Sequence, residues 1–104
     1  MKTILAIDDN KDNLVTISAV LREVIPGCEV ITAESGEEGI QTAINDKPDV
    51  ILLDIIMPKM DGYETCKLLK ANKNTCHIPI ILITAIKTDS DSRVKGLEIG
   101  ADAF

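Results

Sequence analysis

The sequence predicts an α/β fold, a doubly wound parallel sheet with helices on both faces. Two observations predict it. Short apolar runs alternate along the chain with stretches whose apolar residues recur at helical spacing. The runs consist mainly of aliphatic residues, as is typical of strands that helices cover on both sides. Because crossovers between parallel strands are right-handed, the doubly wound arrangement is the natural solution.

The first strand and helix are predicted within the first 27 residues. Thr3–Ile7 is an apolar run of strand length, and it ends at the acidic pair Asp8-Asp9. A helix follows, between a suitable N-cap at Asn10 and a stop signal at Pro26-Gly27. Its apolar stripe consists of Leu14, Ile17, Leu21 and Val24.

A second unit repeats this order. Glu29–Ala33 is predicted to be a strand. Ser35 and Glu38 have the spacing of a capping box, which indicates a helix that begins there and runs to about Asn45. Pro48 separates this helix from the next strand.

The third unit contains the central strand. Val50–Leu53 is an unbroken apolar run bounded by prolines, too short for a buried helix, and a carboxylate, Asp54, follows it directly. The next helix is predicted to begin at Asp61-Gly62 and to end at about Ala71.

The last part of the chain begins a pattern that it does not finish. Pro79–Thr84 is a fourth apolar strand, and Ser90–Ile99 is a helix with Gly100 as its C-cap. Ala101–Phe104 resembles the start of a fifth strand with no helix after it. We therefore expect one domain over residues 1–104, truncated so that its last strand and helix are largely missing.

Composition limits the classes of partner and compartment. The net charge of -6 and pI of about 4.6 argue against direct binding of nucleic acid, which requires a basic face. No apolar run approaches the length of a membrane span and no signal sequence follows Met1, so we expect no membrane contact and a cytoplasmic location. The three cysteines have no metal-site spacing and are expected to be reduced thiols, and His77 is expected in a surface loop.

The candidate site follows from the strand order. In the flavodoxin-like order 2-1-3-4-5, the first and third strands are neighbours and their carboxyl ends flank a crevice. That crevice would collect Asp8, Asp9 and Asp54. Three close carboxylates repel one another, and a hard divalent cation such as Mg²⁺ would stabilise them. A carboxylate beside bound Mg²⁺ can attack a phosphoryl group and form an aspartyl phosphate, with Thr84 placed to hydrogen-bond a phosphoryl oxygen.

Over its whole length the chain closely resembles the receiver domains of two-component response regulators and hybrid sensor kinases. The motifs that carry the resemblance are Asp8-Asp9, Asp54, Met57-Pro58, Met60-Asp61-Gly62, Thr84-Ala85 and Gly100–Phe104. The resemblance implies that Asp54 is the phosphoacceptor, that Thr84 is the switch threonine and that Phe104 is the switch aromatic residue. It also implies that Mg²⁺ binds Asp8, Asp9, Asp54 and the backbone carbonyl of Ile56.

The implied function is Mg²⁺-dependent transfer of a phosphoryl group from a histidine kinase or phosphotransfer protein to Asp54, which switches a protein-interaction surface. Such a domain assists its own phosphorylation and dephosphorylation but is not an enzyme with a released product. The implied partners also include an effector domain or downstream protein and, because many members of the family dimerise, a second copy of the chain. The family's phosphoryl-binding lysine would fall beyond Phe104, and neither Lys87 nor Lys95 matches its motif.

The same residues bear on three alternative functions. A phosphohydrolase of the aspartyl-phosphate type requires an acid two residues after its nucleophile, whereas Asn10 and Ile56 occupy those positions. A flavin or nucleotide module requires a phosphate-binding loop after the first strand, where the sequence instead has carboxylates. A receiver-like interaction module that works without phosphorylation stays open.

Overall fold

The computed structural model describes residues 2–83, which form a parallel sheet flanked by helices. The elements, in chain order, are β1 (Thr3–Ile7), α1 (Lys11–Val24), β2 (Glu29–Ala33), α2 (Gly36–Asp46), β3 (Val50–Asp54), α3 (Gly62–Ala71) and β4 (Ile80–Ile83). No helix within this range is long and apolar enough to cross a bilayer. The predicted strands and helices up to β4 are confirmed, with ends that differ by one or two residues.

The four strands lie in the order β2-β1-β3-β4, and every neighbouring pair is parallel. In the register, Ile7 at the end of β1 lies between Ala33 of β2 and Leu53 of β3. The doubly wound order is therefore confirmed for these strands. The predicted helix Ser90–Ile99 and the predicted fifth strand Ala101–Phe104 lie outside the described residues. The extent of the domain, 1–104, stays a prediction.

The core lies on the side of the sheet that α2 and α3 cover. Alternate residues of the strands point there and are almost fully buried, as the period of a strand requires. This face comprises Leu5, Ile7, Ala33, Ile51, Leu53, Ile80 and Leu82, packed against Ala43 of α2 and against Cys66 and Leu69 of α3. At about 25 cal/mol per Å² of buried apolar surface, this cluster is the main favourable contribution to folding.

Helix α1 covers the other face over β1, where Ile4 and Ala6 are buried. Leu14 of α1 is buried there, but Val24, predicted to belong to the same apolar stripe, is 70% exposed. Val24 is the last residue of the helix, so the apolar stripe is buried near its beginning and exposed at its end. On the same face of the sheet, Leu52 and Ile81 are only half-buried.

Side-chain caps begin each of the three helices between residues 2 and 83. The Asn10 side chain accepts the backbone N–H groups of Asp12 and Asn13, at 2.9 and 3.2 Å. Ser35 Oγ accepts the N–H of Glu38 at 3.1 Å, as the capping box predicts, whereas the Glu38 carboxylate accepts from the N–H of Glu34. The third cap, Asp61, accepts the N–H of Glu64 at 2.9 Å. These caps fix where each helix leaves the edge of the sheet at which the strands end.

The predictions that the cysteines are free thiols and that His77 lies in a surface loop are confirmed. The three cysteines are free thiols: Cys66 is buried in the core, Cys28 is half-buried and Cys76 is exposed. His77 is exposed in the loop that precedes β4.

Gly62 allows α3 to begin directly against the end of β3. Its N–H donates to the carbonyl of Ile55 at 2.8 Å. A Cβ at position 62 would lie 2.3 Å from the carbonyl oxygen of Asp54 and 2.6 Å from the Cα of Ile55. Both are backbone atoms, so no side-chain rotation could relieve the contact.

We therefore predict that Gly62→Ala lowers the free energy of unfolding by about 2 kcal/mol or more, the cost of forcing extra volume against a packed backbone. Urea unfolding followed by circular dichroism measures this change. Lys67→Ala is the control, because Lys67 is exposed on the same helix and alanine is a good helix former. An alanine at position 62 that costs no more than one at position 67 would contradict the expectation.

Candidate functional site

Three carboxylates meet where β1 and β3 end. Asp8 follows Ile7 at the end of β1, and Asp54 is the last residue of β3, whose Leu53 pairs with Ile7. One oxygen each from Asp8, Asp9 and Asp54 lie within 4.8 Å of one another. The predicted convergence is confirmed, and its cause is parallel pairing, which brings the carboxyl ends of both strands to the same edge.

The environments of the three carboxylates differ. Asp8 is 5% exposed, and both of its oxygens accept hydrogen bonds. Its Oδ1 accepts the backbone N–H of Asn10 at 3.0 Å, and its Oδ2 accepts Nδ2 of Asn13 at 3.3 Å. Asp9 is exposed and Asp54 is half-buried. Asp8 is therefore held firmly, whereas Asp9 faces solvent.

The pKa of Asp54 is raised from 3.8 to about 6. Burial is the largest cause, since it penalises the charged form, and the negative charges of Asp8 and Asp9 add to it. Hydrogen bonds from the backbone of Ile56 and Ile55 act in the opposite direction and are the smaller effect. Ionised Asp54 is therefore a carboxylate whose negative charge the protein alone does not fully compensate.

The chemistry of the cluster fits a hard divalent cation. All of its ligands are carboxylate oxygens, the type that Mg²⁺ prefers over nitrogen or sulfur. The three oxygens lie close enough together for one cation to be shared among them. A cation there would also offset the repulsion from Asp8 and Asp9, which adds to the effect of burial on the pKa of Asp54.

The other predicted site residues divide into two groups. Ile56 lies in the loop after β3, and its side chain is 61% exposed. Thr84 and Phe104 lie outside the described residues, so their predicted roles stay predictions.

One residue at the site was missed by the sequence analysis, namely Asn13, which contacts Asp8. It lies in the first turn of α1, five residues after Asp8. The sequence could have indicated it only as a polar residue in the helical turn after the acidic pair. Polar residues are common on solvated helix faces, so this indication is weak by itself.

Comparisons with known proteins agree with this geometry. The family model described as the response regulator receiver domain matches residues 4–104. Response regulator PleD of Caulobacter vibrioides is 44% identical over 101 residues, which are 97% of this chain and 22% of that protein. The alkaline phosphatase synthesis transcriptional regulatory protein PhoP of Bacillus subtilis is 43% identical over 103 residues, which are 99% of this chain and 41% of that protein. The chain therefore spans less than half the length of these two relatives.

Among solved structures, the chemotaxis protein CheY4 of Vibrio cholerae superposes with a TM-score of 0.90 at 31% sequence identity. The match covers 99% of this chain and 83% of that chain. A likeness of this extent supports the same fold and the same placement of the strand ends.

The raised pKa of Asp54 predicts how stability depends on pH without divalent cations. Because the folded-state pKa lies above 3.8, the contribution of Asp54 to stability is fully present below pH 3.8 and is lost as the pH rises through about 6. Asp54→Asn should therefore unfold with a free energy about 1 to 2 kcal/mol higher than the unchanged protein at pH 7, after allowance for solvent screening. The difference should vanish near pH 4.

Denaturation in EDTA at both pH values measures this difference, and ¹³C NMR of the Asp54 carboxyl carbon gives its pKa directly. Asp46→Asn, which removes an exposed carboxylate at the end of α2, is the control and should leave the Asp54 titration unchanged. A titration midpoint near 4 for Asp54 would contradict the expectation.

Proposed function

The chain belongs to the response regulator receiver domains, and from this premise we propose that Asp54 accepts a phosphoryl group from a histidine kinase or a phosphotransfer protein. The observation that carries the proposal is the position of Asp54. It ends a central strand and is half-buried, and one of its oxygens lies within 4.8 Å of an oxygen of Asp8 and of Asp9, while burial raises its pKa. The proposed nucleophile and the proposed cation ligands therefore share one edge of the sheet.

In the proposed reaction, a carboxylate oxygen of Asp54 attacks the phosphorus of a phosphohistidine. The new P–O bond forms as the P–N bond breaks, and the leaving imidazole nitrogen keeps the electron pair. Asp54 must be ionised to attack, and its pKa of about 6 leaves most of it ionised at neutral pH. The product is an aspartyl phosphate on the protein, so the domain is a phosphoacceptor and not a turnover enzyme.

Mg²⁺ is the proposed cation, held by Asp8, Asp9 and Asp54 and by the backbone carbonyl of Ile56. When bound, Mg²⁺ would neutralise the anionic oxygens of the phosphoryl group and of the cluster. The side chains that would hold it are prepared to different degrees, since Asp8 is buried and hydrogen-bonded whereas Asp9 is exposed. The side chain of Ile56 is aliphatic and exposed, so only the backbone carbonyl of this residue could bind the cation.

Thr84 and Phe104 complete the proposed switch. The hydroxyl of Thr84 would donate to a phosphoryl oxygen and move toward Asp54, which would free space for the Phe104 ring to turn inward. The surface that changes would be read by an effector domain, a downstream protein or a second copy of the chain. PhoP is named as a transcriptional regulatory protein and CheY4 as a chemotaxis protein, so relatives differ in output, and we propose only a cytoplasmic signalling role without direct contact to nucleic acid.

We predict a single phosphoryl adduct on the full-length protein when it is incubated with Mg²⁺ and acetyl phosphate. Intact-mass spectrometry detects the adduct, which should be absent with EDTA and in Asp54→Asn, because the variant keeps the shape of the side chain but lacks the nucleophilic oxygen pair. Asp46→Asn is the matched control and should be phosphorylated normally, since Asp46 is an exposed carboxylate at the end of α2.

A folded protein that binds Mg²⁺ but gains no adduct would overturn the phosphoacceptor proposal. The receiver-like module that acts without phosphorylation would then be the better account.

A further inference from the structure

Asn13 contacts the acidic cluster through a single hydrogen bond from the first turn of α1. Its Nδ2 donates to Oδ2 of Asp8 at 3.3 Å. The other oxygen of Asp8 accepts the backbone N–H of Asn10 at 3.0 Å. Both oxygens of this buried carboxylate therefore have a donor, and one of the two donors is a side chain that a substitution can remove.

We propose that Asn13 is a positioning residue that orients Asp8 for binding of the divalent cation. This role rests on the proposed function, because it assumes that Asp8 is a metal ligand. A carboxylate held at one oxygen can still turn about its Cβ–Cγ bond, whereas a second donor at the other oxygen fixes the plane of the group. Partners of metal ligands act in this way, and their loss typically lowers metal affinity by about 10- to 100-fold.

The placement of Asn13 follows from the way α1 begins. The Asn10 side chain accepts the N–H of Asn13 at 3.2 Å, and the Asn10 N–H donates to Asp8, so one short segment links the helix cap to the carboxylate. Side chains of a helix lean toward its N-terminus, and this directs the amide of Asn13 back toward Asp8. The cap that starts α1 therefore also positions the second donor.

The chemistry of asparagine suits this position. Its amide supplies an N–H donor without a charge, whereas an aspartate there would add a fourth carboxylate to a cluster in which Asp8 and Asp9 already repel the charge of Asp54. A lysine would donate too, but its positive charge would compete with the cation. The neutral donor orients Asp8 and leaves its negative charge available.

The direct test is the dissociation constant for Mg²⁺, measured by NMR titration of the full-length protein and checked with Mn²⁺ by electron paramagnetic resonance. Asn13→Ala should raise this constant about tenfold, the lower end of the usual range, because Asn13 is exposed and its hydrogen bond is only partly buried. Asn13→Gln, which keeps an amide on a longer side chain, should recover most of the affinity.

Thr16→Ala is the matched control. Thr16 is exposed on the same helix, and its hydroxyl donates to the carbonyl of Asp12 and not to the acidic cluster. The Thr16→Ala variant should bind Mg²⁺ as tightly as the unchanged protein does. Thermal unfolding in EDTA checks that Asn13→Ala is still folded at the temperature of the titration, so that a loss of Mg²⁺ affinity is not a loss of the fold.

Unchanged Mg²⁺ affinity in Asn13→Ala, or an equal loss in Thr16→Ala, would overturn the positioning role while the phosphoacceptor proposal stands. If the unchanged protein itself neither binds Mg²⁺ nor gains a phosphoryl adduct, the proposed function fails and the role of Asn13 fails with it. The two failures are therefore distinguishable.

Discussion

The parallel pairing of β1 with β3, which gathers three carboxylates at one edge of the sheet, is the constraint on which the rest of the structure depends. Parallel pairing of β1 with β3 places Asp8 and Asp54 together, and the buried neighbours Ile7 and Leu53 fix that pairing from below. The core determines this register. A shift of β1 by one residue relative to β3 would separate Asp8 from Asp54, but it would also turn the buried apolar residues of the shifted strand away from the core. The apolar core therefore keeps the three carboxylates together although their mutual repulsion disfavours it.

The three carboxylates have the same chemistry but different surroundings, and this separates their roles. Asp8 is buried, and two donors compensate its charge. Asp9 is exposed to solvent, which compensates it without fixing its direction. Asp54 lies between these extremes, with a pKa raised chiefly by burial. These surroundings suit Asp8 to be a cation ligand that stays in place and Asp9 to be one that can adjust its position. They suit Asp54 to be a reactive group that a bound cation would stabilise.

Most of the fold was predictable because each strand is an aliphatic run that ends at a recognisable signal. The cluster was predictable too, since Asp8, Asp9 and Asp54 follow strands that the order makes neighbours. What could not be read from the sequence depends on three-dimensional distances: the hydrogen bond from Asn13, and the exposure of Val24 at the end of α1. Spacing along a helix gives the face of a residue, but not whether anything lies opposite that face.

The packing around Asp54 also restricts how the proposed switch could work. On the side of α3, Gly62 approaches the backbone of Asp54 and Ile55 so closely that a methyl group would not fit. On the other side, Asp54 pairs with Ile83 of β4, and the N–H of Ile55 donates to the carbonyl of Ile83 at 3.1 Å. A change at Asp54 therefore cannot be absorbed toward α3 without disrupting packed backbone, whereas β4 is linked to it by hydrogen bonds. Since Thr84 follows Ile83 in the sequence, the hydrogen bonds of β4 connect Asp54 to the strand that leads to the residue of the proposed switch.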